Sequence, residues 1–237
     1  MNAMQEVGLP IRPRALPAAG RVELWLTDLS GFPLAQTLGG ATVGDRVRAL
    51  KLQQRFVLRL LLGGYLGCPG KDVRIVPGEN DKPELGPEQA ASGLRFNLSH
   101  SGNWLTIGVT RGQAIGVDIE RTRVLRRSCA LSRRFLSDAE ARFICRMEEP
   151  ERSARFLDLW ARREALVKAM GSSLARSLTA IELEPATGQL LSVPAQWPAP
   201  SQWRIVVPEL PGQVRGAVAV AGSELRVQTF VLDARLG

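Results

Sequence analysis

Along the segment Val22-Glu23-Leu24-Trp25-Leu26, apolar and polar positions alternate as in a half-buried strand. From about residue 45 to 66 the spacing changes. Val47, Leu50, Phe56, Val57, Leu60, Leu61 and Tyr65 recur every three or four positions, which predicts an amphipathic helix ended by Gly67 and Pro69. Residues 80–92 are polar, carry Pro83 and Pro87, and predict a loop. Three short runs, 94–98, 105–110 and 114–119, have strand character. Ser137 with Glu140 three residues on has the form of a capping box that starts a helix, and 151–170 reads as a long amphipathic helix stopped at Gly171. Beyond it, 180–183, 204–207, 214–220 and 225–232 predict strands between Pro and Gly turns.

Residues 1–20, with Pro10, Pro13 and Pro17, read as a loose leader. The rest of the chain divides into two α+β halves, 21–113 and 114–237, each with a strand, at least one helix and further strands, joined near 112–116. No internal repeat is visible between them. A chain of 237 residues is long enough for each half to bury a core.

Charge changes the picture more than composition does. The formal charge of +8 comes mostly from arginine, since lysine occurs only at Lys51, Lys71, Lys82 and Lys168, and it favours an acidic partner. The arginines are dispersed among acids, and one Tyr and seven Phe make no stacking platform, which argues against nucleic acid. No apolar run reaches about 18 residues, so no membrane span is expected. The N-terminus lacks an apolar signal core, and Cys68, Cys129 and Cys145 lie far apart without a C-x-x-C pair. They are expected to be reduced thiols of a cytoplasmic protein.

Candidate chemistry concentrates at a few positions. Asp118 and Glu120 stand at i and i+2, so in a strand both carboxylates reach one face and could share a cation; a solvent-facing acidic pair is the plainer alternative. Magnesium suits such a pair, because it takes few protein carboxylates and fills its shell with water and phosphate oxygens. Trp160, Glu164 and Lys168 come at i, i+4, i+8 on one helix face, as a surface ion pair or as a third carboxylate with a phosphate-binding ammonium. His100, the one histidine, lies between Ser99 and Ser101. A serine-hydrolase triad is not indicated, as no G-x-S-x-G elbow is present. Arg48, Lys51 and Arg55 on the first long helix and Lys82 in the loop after it are candidate phosphate contacts, or simply a solvated basic surface.

The order and spacing of these pieces carry more than any one of them. Lys82-Pro83, Phe96-Asn97-Leu98-Ser99-His100-Ser101, Gly116-Val117-Asp118-Ile119-Glu120, Phe135-Leu136-Ser137-x-x-Glu140 and Trp160-x-x-Arg163-Glu164-Ala165-x-x-Lys168 together resemble the Sfp-type 4'-phosphopantetheinyl transferases. The resemblance covers residues 46–171. It implies an α+β pseudo-dimer of two similar halves with the active site in the cleft between them, working as a monomer. It implies Mg²⁺ held by Asp118, Glu120 and Glu164, and a base at Glu164 with Glu140 as a second candidate. Coenzyme A would be held by Arg48, Lys51, Arg55, Lys82, Pro83, Ser99, His100 and Lys168. The acceptor would be a serine of an acidic apo carrier protein, whose charge would give the +8 a steering role. Two departures are visible: Arg163 replaces the family's usual Lys before Glu164, and Gly171-Ser172-Ser173 replaces Gly-Lys-Gly. The other readings are a silent nucleotide-binding homologue and, from basicity alone, a nucleic-acid binder.

Overall fold

A computed structural model describes residues 4–32, 42–172, 178–222 and 224–233. In chain order, β1 (Gln5–Val7) and β2 (Arg21–Asp28) precede the long helix α1 (Val43–Leu66). A hairpin, β3 (Ile75–Pro77) and β4 (Pro83–Leu85), leads through the short α2 (Pro87–Ala90) to β5 (Leu94–Ser101), β6 (Trp104–Arg111) and β7 (Ile115–Arg121). Then come α3 (Ser128–Phe135), α4 (Asp138–Cys145) and the long α5 (Glu151–Met170). The strands β8 (Glu182–Leu183), β9 (Leu190–Ser192), β10 (Trp203–Val206), β11 (Val214–Ala221) and β12 (Arg226–Leu232) close the chain.

Among the described residues, the larger strands form a five-stranded sheet in the order β1-β12-β2-β6-β5 and a three-stranded sheet β10-β11-β7. The α+β class expected from the sequence is observed. α1 covers one face of the first sheet: Val57, Leu58, Leu61, Leu62 and Tyr65 pack with Trp25, Ile107 and Phe230. α5 covers the second sheet through Leu159, Ala161, Leu166 and Val167 with Ala217 and Ala219. The two sheets meet face to face through Val22 and Leu24 of β2 against Ile115, Val117, Val218 and Val220. This is why β2 is apolar on both faces rather than cleanly alternating: Trp25 serves one core and its neighbours another.

Local chemistry explains the helix ends. Thr42 and Asp45 make a reciprocal capping box at the start of α1, and Gly67, with φ of 66°, ends it in a left-handed conformation. Ser137 and Glu140 repeat the box at α4, as expected.

Several expectations are corrected. The supposed leader is built in: β1 pairs in parallel with β12, and Arg14 lies 4.8 Å over Trp25 and 4.6 Å over Phe230 while pairing with Glu23. Its prolines forbid a helix, yet an extended chain can still lay Leu9, Ile11 and Leu16 on the core. The loop expected over 80–92 holds β4 and α2, because Pro83 opens an edge strand and Pro87 takes the first helical position, where no N–H is needed. β12, from the second half of the sequence, joins the sheet of the first. Cys129 and Cys145 are not free thiols but a disulfide, since α3 and α4 pack with these Cα atoms 5.1 Å apart; Cys68 remains free. No helix among the described residues is long and apolar enough to cross a membrane.

One contact fixes how β7 sits on α5. A Cβ at Gly116 would lie 1.9 Å from the carbonyl oxygen of Ala165 and 2.4 Å from the amide nitrogen of Ala169, both backbone atoms that cannot swing away. Gly116→Ala should therefore lower unfolding free energy by about 3 kcal/mol or more. Gly212→Ala, with no atom within 4 Å of the added methyl, should stay within about 0.5 kcal/mol of the parent. Denaturant unfolding of both variants checks the contrast.

Candidate active site

β5 and β7 belong to different sheets, yet they run side by side and are joined by side chains. In a strand every second residue faces the same way. Asn97, Ser99 and Ser101 accordingly all face β7. The Asn97 Oδ1 accepts from the Val117 amide at 2.9 Å, and the Ser99 hydroxyl donates to Asp118 Oδ1 at 2.7 Å. Ser101 donates to Glu120 Oε2 at 3.1 Å and accepts from the Arg121 amide at 3.0 Å. The ladder holds Asp118 and Glu120 at the seam between the two strands.

α5 completes the cluster. The Lys168 ammonium donates to Asp118 Oδ1 at 2.7 Å, to the Ser99 hydroxyl at 3.1 Å and to the Val117 carbonyl at 3.3 Å. Asp118 is only 5% exposed, and its second oxygen is buried without a hydrogen-bond partner. Burial pushes its pKa up, against the pull of Lys168 and Ser99. One helical turn back, Glu164 is 7% exposed. Its carboxyl is pushed up to about 7 by burial first, then by the negative charges of Asp118 and Glu120, with Lys168 opposing. Glu120 is the most accessible of the three acids and also accepts from Arg123 at 3.0 Å.

Among the described residues no three His, Cys, Asp or Glu side chains form a ready-made cation cage. The chemistry of the set nonetheless fits a hard divalent ion. Three carboxylates repel one another in a buried corner, one oxygen has no partner, and Lys168 supplies the balancing charge.

The remaining predicted residues divide. Lys51, Arg55 and Pro83, with Pro77, Asp81 and Leu98, line a groove of about 500 Å³ between α1, the β3–β4 hairpin and β5. Arg48, on the same helix, is exposed and stands 4.0 Å from Asp45. His100 is exposed on β5, opposite to the ladder. Its pKa is lowered by partial burial and by the charges of Lys168 and Lys51, which places it within electrostatic reach of both cluster and groove. Lys82 is directed instead at two carbonyls, those of Ile115 at 3.0 Å and Lys168 at 2.7 Å.

Glu140 is not brought to the cluster. It is fully buried, closes the capping box with the Ser137 amide at 2.9 Å, accepts from the Leu183 amide at 3.3 Å and pairs with Arg163. Arg163, expected to alter charge beside Glu164, is likewise fully buried, because adjacent helical residues diverge by about 100°. It also donates to the Ile181 carbonyl at 3.0 Å. Gly171 ends α5 with φ of 65°, and Ser173 lies outside the described residues. Asn97 and Ser101 as ladder residues were missed, although N-x-S-x-S with period two is the signal that could have found them.

The chain is similar to known proteins over most of its length. Residues 114–219 match the family model of the 4'-phosphopantetheinyl transferase superfamily. The 4'-phosphopantetheinyl transferase HetI of Nostoc sp. is 31% identical over 236 residues, covering 92% of this chain and 95% of that protein. Sfp of Bacillus subtilis is 33% identical over 107 residues, 45% of each chain, and AcpT of Salmonella typhi 36% over 100 residues, 42% of this chain and 50% of that one. A likeness to HetI over nearly the whole of both proteins makes the chain a member of the 4'-phosphopantetheinyl transferase superfamily, of the Sfp type. Transferase activity goes with that membership.

A structural role for Glu140 separates from a catalytic one. Glu140→Ala strands the Arg163 charge and should lower stability by about 3–5 kcal/mol. Turnover per folded molecule, with folded fraction taken from unfolding curves, should stay within about twofold of the parent for Glu140→Gln, since an internal pair touches no reacting atom.

Proposed function

We propose that the protein transfers the 4'-phosphopantetheine arm of coenzyme A to a serine of an apo carrier protein and releases 3',5'-adenosine bisphosphate, with Mg²⁺ as cofactor. The observation that carries this reading is the buried acidic cluster of Asp118, Glu120 and Glu164, balanced by Lys168 and set beside a groove bearing Lys51 and Arg55. Asp118, Glu120 and Glu164 are the residues that would hold the metal, whose chemistry is to neutralise negative charge on the pyrophosphate.

The chain's own groups divide the rest of the work. Lys51 and Arg55, with Arg48 at the margin, bind the donor's phosphates as charge-assisted hydrogen-bond donors, and His100 orients them. The serine oxygen attacks the β-phosphorus while the bond to the bridging oxygen breaks, leaving that electron pair on the departing adenosine bisphosphate. Lys168 faces the developing charge there. Glu164, on the α5 face beside Asp118, takes the serine proton directly or through a water. Glu140 has no part in this step, since Arg163, Ser137 and Leu183 occupy its oxygens. The +8 charge steers an acidic carrier toward the basic α1 side. The two fused halves act as a pseudo-dimer within one chain, so a monomer suffices.

The decisive experiment incubates the protein with coenzyme A, Mg²⁺ and several apo carriers, each monitored by intact-mass spectrometry. The expected result is a gain of one phosphopantetheine on the carrier; no gain on any of them overturns the reading. Asp118→Ala and Glu164→Ala should each abolish turnover while retaining most of the coenzyme A affinity measured by calorimetry.

The metal fit has its own readout. Mg²⁺ at about 100 times its dissociation constant should stabilise the protein by about 2.7 kcal/mol, read as a rise in thermal midpoint. In Asp118→Asn that rise should shrink to a small fraction; an equal rise in both proteins would place the ion elsewhere.

A further inference from the structure

We propose that Lys82 is a positioning residue for the transfer step: it locks the end of α5 and the start of β7, and thereby Lys168 and Asp118, rather than gripping a donor phosphate. This rests on the transferase reading of the site and assigns the residue a role of its own within it.

The geometry is specific. Two of the three N–H donors of the Lys82 ammonium go to the carbonyls of Ile115 and Lys168, at 3.0 and 2.7 Å. These oxygens belong to different elements. Ile115 opens β7, three residues before Asp118. Lys168 lies in the last turn of α5, where its carbonyl also accepts from the Gly171 amide at 3.2 Å and the helix dipole welcomes a cation. One side chain from the β3–β4 hairpin thus ties together the two elements that carry the acids and their balancing lysine.

A second contact from the same hairpin points the same way. The Asn80 amide donates to the Gly171 carbonyl at 2.5 Å, the residue that ends α5. Asn80 and Asp81 have φ of 52° and 60°, a left-handed conformation that, after glycine, Asn and Asp tolerate best. The turn holds that conformation while presenting two side chains, Asn80 and Lys82, to a single helix end. Burial lowers the Lys82 pKa, as fits an ammonium enclosed by carbonyls rather than one waiting in solvent for an anion.

The opposite side of the hairpin faces the donor. Asp81 and Pro83 line the 500 Å³ groove that also holds Lys51 and Arg55. The hairpin is therefore one wall of the groove and, through Lys82, the clamp on the residue that faces the reacting phosphate. Losing the clamp should loosen Lys168 without removing a groove charge. Small misplacements of this kind reduce rate far more than affinity.

The test compares parent, Lys82→Met and Asn80→Gly, the latter keeping the left-handed backbone while deleting the amide. Coenzyme A affinity is read by calorimetry, and kcat and KM on an apo carrier, with thermal unfolding to confirm the folded state. Lys82→Met should lower kcat by about 10- to 100-fold while the calorimetric Kd for coenzyme A stays within about twofold. Asn80→Gly should lower kcat by a smaller factor, again without weakening coenzyme A. A Kd raised tenfold or more in Lys82→Met, with a shallower salt dependence, would make it a phosphate contact and overturn the proposal. So would an unchanged kcat in both variants. Should Lys82→Met fail to fold, Asn80→Gly decides alone: a lowered kcat at unchanged affinity sustains the clamp, and any other pattern ends it. Failure of the parent to modify any carrier would count against the transferase reading, whereas the calorimetric arm still judges Lys82.

Discussion

Everything at the candidate site depends on the backbone-to-backbone approach of β7 to α5 at Gly116. A side chain of any size there would stand within 1.9 Å of the Ala165 carbonyl. Because none does, β7 lies directly on the helix, and Asp118, further along the same strand, comes within 2.7 Å of the Lys168 ammonium. The same approach brings Glu164 close enough to feel the charges of both strand carboxylates. The acids are assembled by packing first and by electrostatics second. Left to their charges, they would separate.

Two buried polar systems then hold this arrangement from opposite sides of α5. On one, Asn97, Ser99 and Ser101 join strands of different sheets by side chains and so make the connection that backbone pairing cannot make there. On the other, Arg163 and Glu140, both fully buried, tie α5 to the start of α4 and to the segment around Ile181. A buried pair of this kind contributes little net stability against an apolar alternative, but it tolerates only one geometry, because a displaced partner leaves a charge unpaired in the interior. Helix rotation is thereby restricted. With residue 163 fixed on the far side, residues 164 and 168 must face the acids of β7.

Much of this was legible in the sequence, and the gaps have physical causes. Helical spacing located α1 and α5, alternation located β2, and short apolar runs located β5, β6 and β7; of these strands, β2, β6 and β7 are buried on both faces. The i, i+2 pair Asp118–Glu120 and the i, i+4 pair Glu164–Lys168 gave their side-chain directions directly. Partners across space were not legible. Glu140 carried a helix-start signature, and its carboxylate satisfies that signature fully, yet the Arg163 it pairs with is 23 positions away. Lys82-Pro83 suggested a phosphate contact because a lysine in a polar segment normally has a free ammonium. Only the fold shows that its ammonium reaches two backbone carbonyls. The Cys129–Cys145 bridge was hidden for the same reason: a separation of 16 residues says nothing until two short helices are seen to pack.

The arrangement of charge at the acids has a mechanistic consequence of its own. Lys168 pairs with Asp118, while burial and the neighbouring acids push the Glu164 carboxyl up to about 7 against the pull of the same lysine. One oxygen of Asp118 stays unpaired, which costs free energy in an interior where polar groups are normally satisfied. A site built in this way gains from any ligand that adds positive charge at the acids while taking up the lysine's donors with phosphate oxygens. Donor and cation would each improve the place of the other, since the cation relieves the carboxylates and the phosphates engage the ammonium. The raised pKa of Glu164 and the orphaned oxygen of Asp118 are then two expressions of one condition: packing at Gly116 holds the acids closer together than their charges alone would allow.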